Sequence, residues 1–287
     1  MKIAPYWSKA RYAGRSREGG TDSVVACGWS FSSMDDARNR AALRAKHIFD
    51  ILASGKAPNA YEYSDRPVRE EIVKELADGP TSVALITRNR YGALVLNSAS
   101  VLFADVDFPK RGSGGLLESL LFLLLPKKRE AKRQAQILET ANKIERWAHS
   151  NPAHSFRLYR TLEGMRLLFT GRLYDPSSDE TLGILRGLES DPMYIRLTRK
   201  QECFRARLTA KPWRCGCPRP PNSYPWESAD AERKFRDWER QYAAADAKFR
   251  TCEFVKAFGI VADSAAIKST MAAHDHGTRI DASAPLA

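Results

Sequence analysis

The sequence predicts an α+β protein: a largely antiparallel sheet, helices packed on it, and a helical extension toward the C-terminus. Three observations carry this. Alternating or apolar runs recur with polar turns between them, the pattern of antiparallel strands. Long segments repeat apolar residues at helical spacing. The two kinds of segment follow one another as strands, helix, strands, helix, strand pair, helix, strands, helix, an order that suits a layered α+β domain.

The first strands are "IAPYWSKARYA" and "SVVACGWSFS" around the polar loop "GRSREGGTD". A helix follows from Ser33 to Ser54: Ser33 caps it, Asp35 and Asp36 suit its first turn, Gly55 closes it, and Ala37, Ala41, Ala45, Ile48 and Leu52 form its apolar stripe. "DRPVREEIVKEL" reads as a second, shorter helix with Pro67 near its start. "SVALITRNRYGALVLNSASVLFADVDF" gives three strands of an antiparallel meander, parted by "RNRYG" and "NSAS".

The glycine-rich "KRGSGG" then leads to a long helix from Lys128 to Ser150. "SFRLYRTL" and "MRLLFTGRL" make a hairpin turning at Glu163-Gly164, and "SDETLGILRGLE" a helix. "DPMYIRLTRKQECFRARLTAKPW" reads as extended, "CGCPRPPNSYPW" as loop, and the stretch from Ser228 to Phe258 as helix. From His274 onward the polar tail is expected to be irregular. The chain divides into an αβ module over 1–80, a core over 81–215 and an extension with tail over 216–287 that packs with the core.

The 287 residues give ample chain for a sizeable core. A net charge of +12 and a pI near 9.6 attract polyanions, of which nucleic acid is the commonest, and say nothing directly of fold. No signal-peptide core opens the chain, and "GGLLESLLFLLLP" is too short and too interrupted to span a bilayer. That run is either a core segment, a partner-binding patch or an insertion. The five cysteines, an odd count in a long chain, fit reduced thiols. A cytoplasmic protein with no membrane partner is expected; the oligomeric state is left open.

"VLFADVDFP" poses the main chemical question. Side chains alternate along a strand, so Asp105 and Asp107 leave one face, with Val101 and Phe103 before them. Two carboxylates a few ångströms apart repel by roughly 4 kcal/mol at an effective dielectric of about 20. A shared proton, a guanidinium or a divalent metal must offset that. The pair either sits as a solvated or arginine-paired strand end, or holds Mg2+ or Mn2+, hard cations that also take phosphate oxygens. Asp191 is the first choice for a third carboxylate, and Asp175 its competitor.

In "FRLYRTLEGMRLLFT", Arg157, Tyr159 and Thr161 share one face, and Arg166 stands among apolar neighbours. Guanidiniums so placed must meet carboxylates or phosphates, in an internal ion-pair network or a ligand site. From Arg196 onward the chain carries Arg199, Lys200, Arg205, Arg207, Lys211 and Arg214 against the single acid Glu202, with Phe204 and Trp213 interleaved. Alternation puts Arg205 and Arg207 opposite Phe204, Ala206 and Leu208, so one face is basic and the other core. Such a strand is either simply solvated or tracks a phosphate backbone, with aromatics to stack on bases.

"CGC" matches no structural zinc pattern, so zinc is not expected. "HDHGTR" has ligand-type residues but little hydrophobic support, and "GSGG" lacks a P-loop's lysine.

Taken together, "LFADVD", "TLEGMR" and "ESDPMYIRL" resemble, in order and rough spacing, the three motifs of the archaeo-eukaryotic primase superfamily, over about residues 82–212. The resemblance implies an RRM-like, primase-like core and metal-dependent nucleotidyl transfer. Asp105, Asp107 and Asp191 would then hold Mg2+ or Mn2+ and serve as the catalytic carboxylates. Arg157, Tyr159, Thr161 and Arg166 would contact nucleotide phosphates, and Arg196, Arg199, Lys200, Arg205, Arg207, Lys211, Trp213 and Arg214 the nucleic acid. Three departures weaken the catalytic implication: Arg166 stands where the family has a nucleotide-contacting histidine, Thr161 only loosely replaces its serine, and the third acid, Asp191, is not preceded by the usual apolar residue. Two other functions stay open, a non-catalytic nucleic-acid-binding protein on the same fold and a metal-dependent transferase using a nucleotide-activated small molecule.

Overall fold

The computed structural model describes residues 1–15, 19–56, 66–79, 81–109 and 126–287. The loop "KRGSGG" and most of the apolar run that follows lie outside the described residues.

The chain folds as α+β, with three antiparallel sheets. Strands β1 (Tyr6–Arg15) and β2 (Thr21–Ser30) pair as a hairpin under helix α1 (Met34–Ala53). Ser33 caps α1 as expected, its hydroxyl accepting from Asp36 N at 3.1 Å, and Ala37, Ala41 and Ala45 are buried. Phe49 is buried on α1 while Leu52 is exposed. Gly28 makes the close packing possible: a Cβ there would meet Ala41 N at 2.2 Å.

β3 (Glu71–Asp78), β4 (Thr81–Arg88), β5 (Leu94–Ser98) and β9 (Phe204–Arg207) form one four-stranded sheet in the order β3-β4-β5-β9. The segment expected as a short helix is thus the edge strand β3. Ile72 and Leu76 pack inward while Val73, Lys74, Glu75 and Ala77 are exposed, and pairing with β4 overrides the helical preference of its Glu and Lys residues.

The second four-stranded sheet runs β10-β7-β8-β6, from β10 (Glu253–Phe258), β7 (Phe156–Arg160), β8 (Gly164–Phe169) and β6 (Phe103–Asp107). The expected three-strand meander is therefore broken. β6 leaves β5 at a turn in which Ser98 Oγ accepts from Val101 N at 2.9 Å, and it pairs with β8 instead. Phe103, Ala104 and Val106 are all buried, so the strand is covered on both faces. One face packs on α2 (Pro126–Ser150), where Trp147 meets Phe156 and Phe169. The other faces α6 (Ala265–Thr278), where His274 meets Phe103 and Tyr159.

Three more expectations change. After α3 (Asp179–Gly187), the basic segment expected as extended begins with helix α4 (Pro192–Gln201), which Asp191 caps and Glu202 ends with a positive φ of 52°. The helix from Ser228 is only α5 (Ala229–Asp246); the chain then returns as β10. His274, expected in an irregular tail, is fully buried on α6. The pairings β3–β4 and β10–β7 join what the sequence divides at residues 80 and 215. No helix among the described residues is long and apolar enough to cross a membrane.

Candidate functional site

The two four-stranded sheets meet where β6 lies against β9. At that seam is a pocket of about 390 Å3, walled by strand ends and by α4. Register explains its composition. Asp105 on β6 pairs directly with Arg166 on β8, so the two side chains emerge side by side on the same face. On β9, Arg205 and Arg207 point away from the core while Phe204 and Ala206 fill it, as alternation requires. Gly164 lets β8 come close to β6 here: a Cβ would lie 2.4 Å from Val106 O.

Five cations line the pocket, Arg166, Arg205, Arg207, Lys211 and Arg214, against three carboxylates, Asp105, Asp107 and Glu163. Most of the charges are already matched. Arg166, only 4% exposed, grips Asp105 with two hydrogen bonds, Nε to Oδ1 at 2.7 Å and Nη2 to Oδ2 at 3.0 Å. It also donates from Nη1 to Arg207 O at 2.9 Å, tying β8 to β9. Burial opposes its charge, but Asp105, by its charge and its hydrogen bonds, more than offsets that and holds the guanidinium protonated above its ordinary range. Arg205 donates to both oxygens of buried Glu70, at 2.7 and 2.8 Å, and Arg214 pairs with Glu163.

Arg207 and Lys211 differ. Among the described residues the Arg207 side chain has no ion pair or hydrogen bond, and its Nε is buried without a partner. Burial pushes its pKa down, and the neighbouring charges of Arg166 and Arg214 push it further. Lys211 makes no salt bridge among the described residues either; its Nζ lies over the Trp213 ring, 5.8 Å from the centre, and burial, then Arg207 and Arg214, lower its pKa, while Glu163 pulls the other way. Thr198 Oγ1, from α4, is another buried polar atom on the pocket wall with no hydrogen-bond partner. Tyr194 completes that wall, its hydroxyl donating to Phe103 O at 2.9 Å and held neutral by burial and by Asp105.

The structure therefore gathers Asp105, Asp107, Thr161, Arg166, Arg205, Arg207, Lys211 and Arg214 in one place, and puts other expected residues elsewhere. Asp191 is not in the pocket: its carboxylate accepts from Met193 N and Tyr194 N at 2.7 and 3.0 Å, as the cap of α4. Asp175 is used likewise, accepting from Ser177 N. Arg157 and Tyr159 do not face a ligand. Both are tied to Asp275 of α6, Arg157 Nη2 at 3.0 Å and Tyr159 Oη at 2.7 Å, and Arg157 Nε donates to the tyrosine hydroxyl. Arg196, Arg199 and Lys200 are exposed on α4, on the side away from Thr198, and Trp213 is exposed at the pocket's flank. Phe204 is fully buried and cannot stack on a base. Asn89, Val95, Glu163, Gly164, Met165, Tyr194, Leu197 and Thr198 also line the pocket; Glu163, Gly164 and Met165 belong to the hairpin turn and motif "TLEGMR", and the α4 members follow the Asp-Pro start of a capped helix.

This donor set does not fit the expected three-carboxylate cation site. Asp105 is chelated by Arg166, Asp191 is spent on a helix cap, and among the described residues no group of three or more His, Cys, Asp or Glu side chains comes together. What the arrangement can do is hold an anion against Arg207, Lys211 and the Thr198 hydroxyl. No protein-family model, curated protein or solved structure matches the chain significantly.

Proposed function

We propose that the chain binds phosphates of nucleic acid in this pocket without a resident metal, as a non-catalytic protein on a primase-like fold acting in the cytoplasm. One observation carries the reading: Arg207, a largely buried guanidinium in a basic pocket, makes no ion pair or hydrogen bond with an acid among the described residues, although Asp105 is near enough to act on its charge. Burying such a charge is costly unless it is paired and hydrogen-bonded. A phosphate offers the bidentate geometry a guanidinium prefers, and Lys211 adds a point charge beside it. The five free cysteines accord with a reducing compartment.

The test is equilibrium binding of the full chain to a short labelled single strand across a salt series, with and without EDTA. Arg207→Ala with Lys211→Ala should weaken binding about tenfold or more, near 1.4 kcal/mol. The double variant should also flatten the salt dependence by about 1.4 in log–log slope, the loss of two phosphate contacts. EDTA should change nothing. The shared face of Asp105 and Asp107 favours a second reading, nucleotidyl transfer with Mg2+ or Mn2+, which requires Arg166 to release Asp105. Metal-dependent nucleotide incorporation, lost on replacing both aspartates by alanine, would establish that reading over ours. Saturable binding of a nucleotide-sugar with no affinity for nucleic acid would instead favour the small-molecule transferase.

A further inference from the structure

Trp213 is a large aromatic left 45% exposed, yet nothing about its setting is loose. It sits in a short 3-10 turn, Pro212–Arg214, pinned by Arg214 N to Lys211 O at 2.8 Å and by Cys215 N and Cys217 N to Pro212 O at 3.1 and 2.9 Å. Pro212, Cys215 and Cys217 are buried beneath it. Tyr91 abuts it edge-on, with centroids 5.3 Å apart at 89°, and Tyr91 is itself held by Asn89, whose Oδ1 accepts from Tyr91 N at 2.9 Å. Lys211 and Arg214, the residues two before and one after Trp213, both line the phosphate pocket, and so does Asn89. Arg219 and Arg90 add charge to this surface, Arg219 at 5.4 Å from the Trp213 ring centre and Arg90 at 4.6 Å from that of Tyr91.

We infer that Trp213, braced by Tyr91, is a stacking platform for an unpaired base whose backbone phosphates enter the adjoining pocket, so the partner is single-stranded nucleic acid. The inference rests on the phosphate-binding reading and adds the form of the ligand. A rigid exposed ring gives contact area at little entropic cost, and every base has a π-face to offer it. Lys211 Nζ and the Arg219 guanidinium lie over the Trp213 ring, 5.8 and 5.4 Å from its centre, so a base that stacks there displaces a cation from the ring face, and a displaced lysine is at hand for the neighbouring phosphate. A base inside a duplex is already stacked on both sides and cannot use the platform without being unpaired.

The experiment measures binding of the full chain to three probes of equal length: a single strand, its abasic counterpart carrying the same phosphates, and the matching duplex. The wild type should prefer the base-bearing strand over the abasic one by about tenfold or more, the range that stacking supplies. Trp213→Ala should erase that preference and leave abasic affinity unchanged, while Trp213→Phe should keep part of it. Because Trp213 is exposed, both variants are expected to fold, and a thermal melt checks this. Unchanged preference in Trp213→Ala, or tighter binding of duplex than of single strand, overturns the inference. Abasic binding that ignores Arg207→Ala and Lys211→Ala overturns the pocket reading instead, so the two failures are distinguishable.

Discussion

The face of the second sheet that looks away from α2 carries two clusters of buried charge, and they are finished differently. Toward α6, Arg157, Tyr159 and Asp275 close on one another, and His274 Nδ1 reaches Asp275 Oδ1 at 3.0 Å. At the seam with β9, Arg166 closes on Asp105 but Arg207, whose carbonyl Arg166 itself binds, closes on no acid among the described residues. Between the clusters lies Cys252, with Arg166 Nη1 at 3.8 Å and His274 Nε2 at 3.9 Å from its sulfur, and burial raises its thiol pKa to about 11. The first cluster is structural because its charges are matched within the fold. The second, among the described residues, leaves Arg207 without an ion pair, and that difference is what the proposed phosphate site rests on.

The sharpest way to break this contrast is Asp105→Ala. It strands Arg166, 4% exposed, with a carbonyl and a thiol as its remaining partners. Removing one side of a fully buried pair costs about 3–5 kcal/mol; because the Asp105 side chain is 39% exposed, water reaches the pair and the loss should be about 3 kcal/mol or less, to be read from urea denaturation. Asp105→Asn keeps acceptor capacity and should cost less. Near-normal stability in the alanine variant would mean that the Arg166–Asp105 pair is not the internal match described above.

Arg207→Met makes the complementary case. It removes a charge without an ion pair among the described residues and keeps an unbranched apolar stem, so stability should hold or rise and should fall by no more than about 1 kcal/mol. Affinity for a single strand should fall with little change in stability, the split expected when a site is kept at some cost to the fold. A loss as large as that of Asp105→Ala would instead show Arg207 to be part of the structural network.

Much of this was legible in the sequence, for reasons that particular residues make clear. Alternation along β9 put Arg205 and Arg207 opposite Phe204 and Ala206, and along β6 put Asp105 and Asp107 on one face, because side chains on a strand alternate with a period of two. The demand that Arg166 meet a counter-charge was also legible, but not its partner. Cross-strand register alone decides that Asp105 faces Arg166, and register depends on the turns between strands. The α4 segment was misread because Arg196, Leu197, Thr198 and Arg199 alternate loosely enough to pass for a strand, whereas Asp191 and Pro192 are an N-cap and first-turn pair. His274 was misjudged because polar neighbours in sequence hid a position that α6 turns wholly inward.

The smallest expected effect tests the finished cluster. His274 is fully buried among Phe103, Tyr159, Cys252 and Asp275, with Arg166 and Asp105 near enough to act on it. Burial lowers its pKa below the ordinary 6.5, and Arg166 adds to that, although Asp275 and Asp105 pull the other way. The unfolded chain therefore binds a proton at His274 more readily than the folded one. The corresponding stability is fully present above about 6.5 and is lost as pH falls from there toward the depressed folded value. Urea midpoints measured across this window should decline on the acid side in the wild type, and less steeply in His274→Gln, which keeps polar groups but cannot titrate. Equal slopes in the two proteins would assign the acid sensitivity to other groups and leave His274 as a neutral packing element between the clusters.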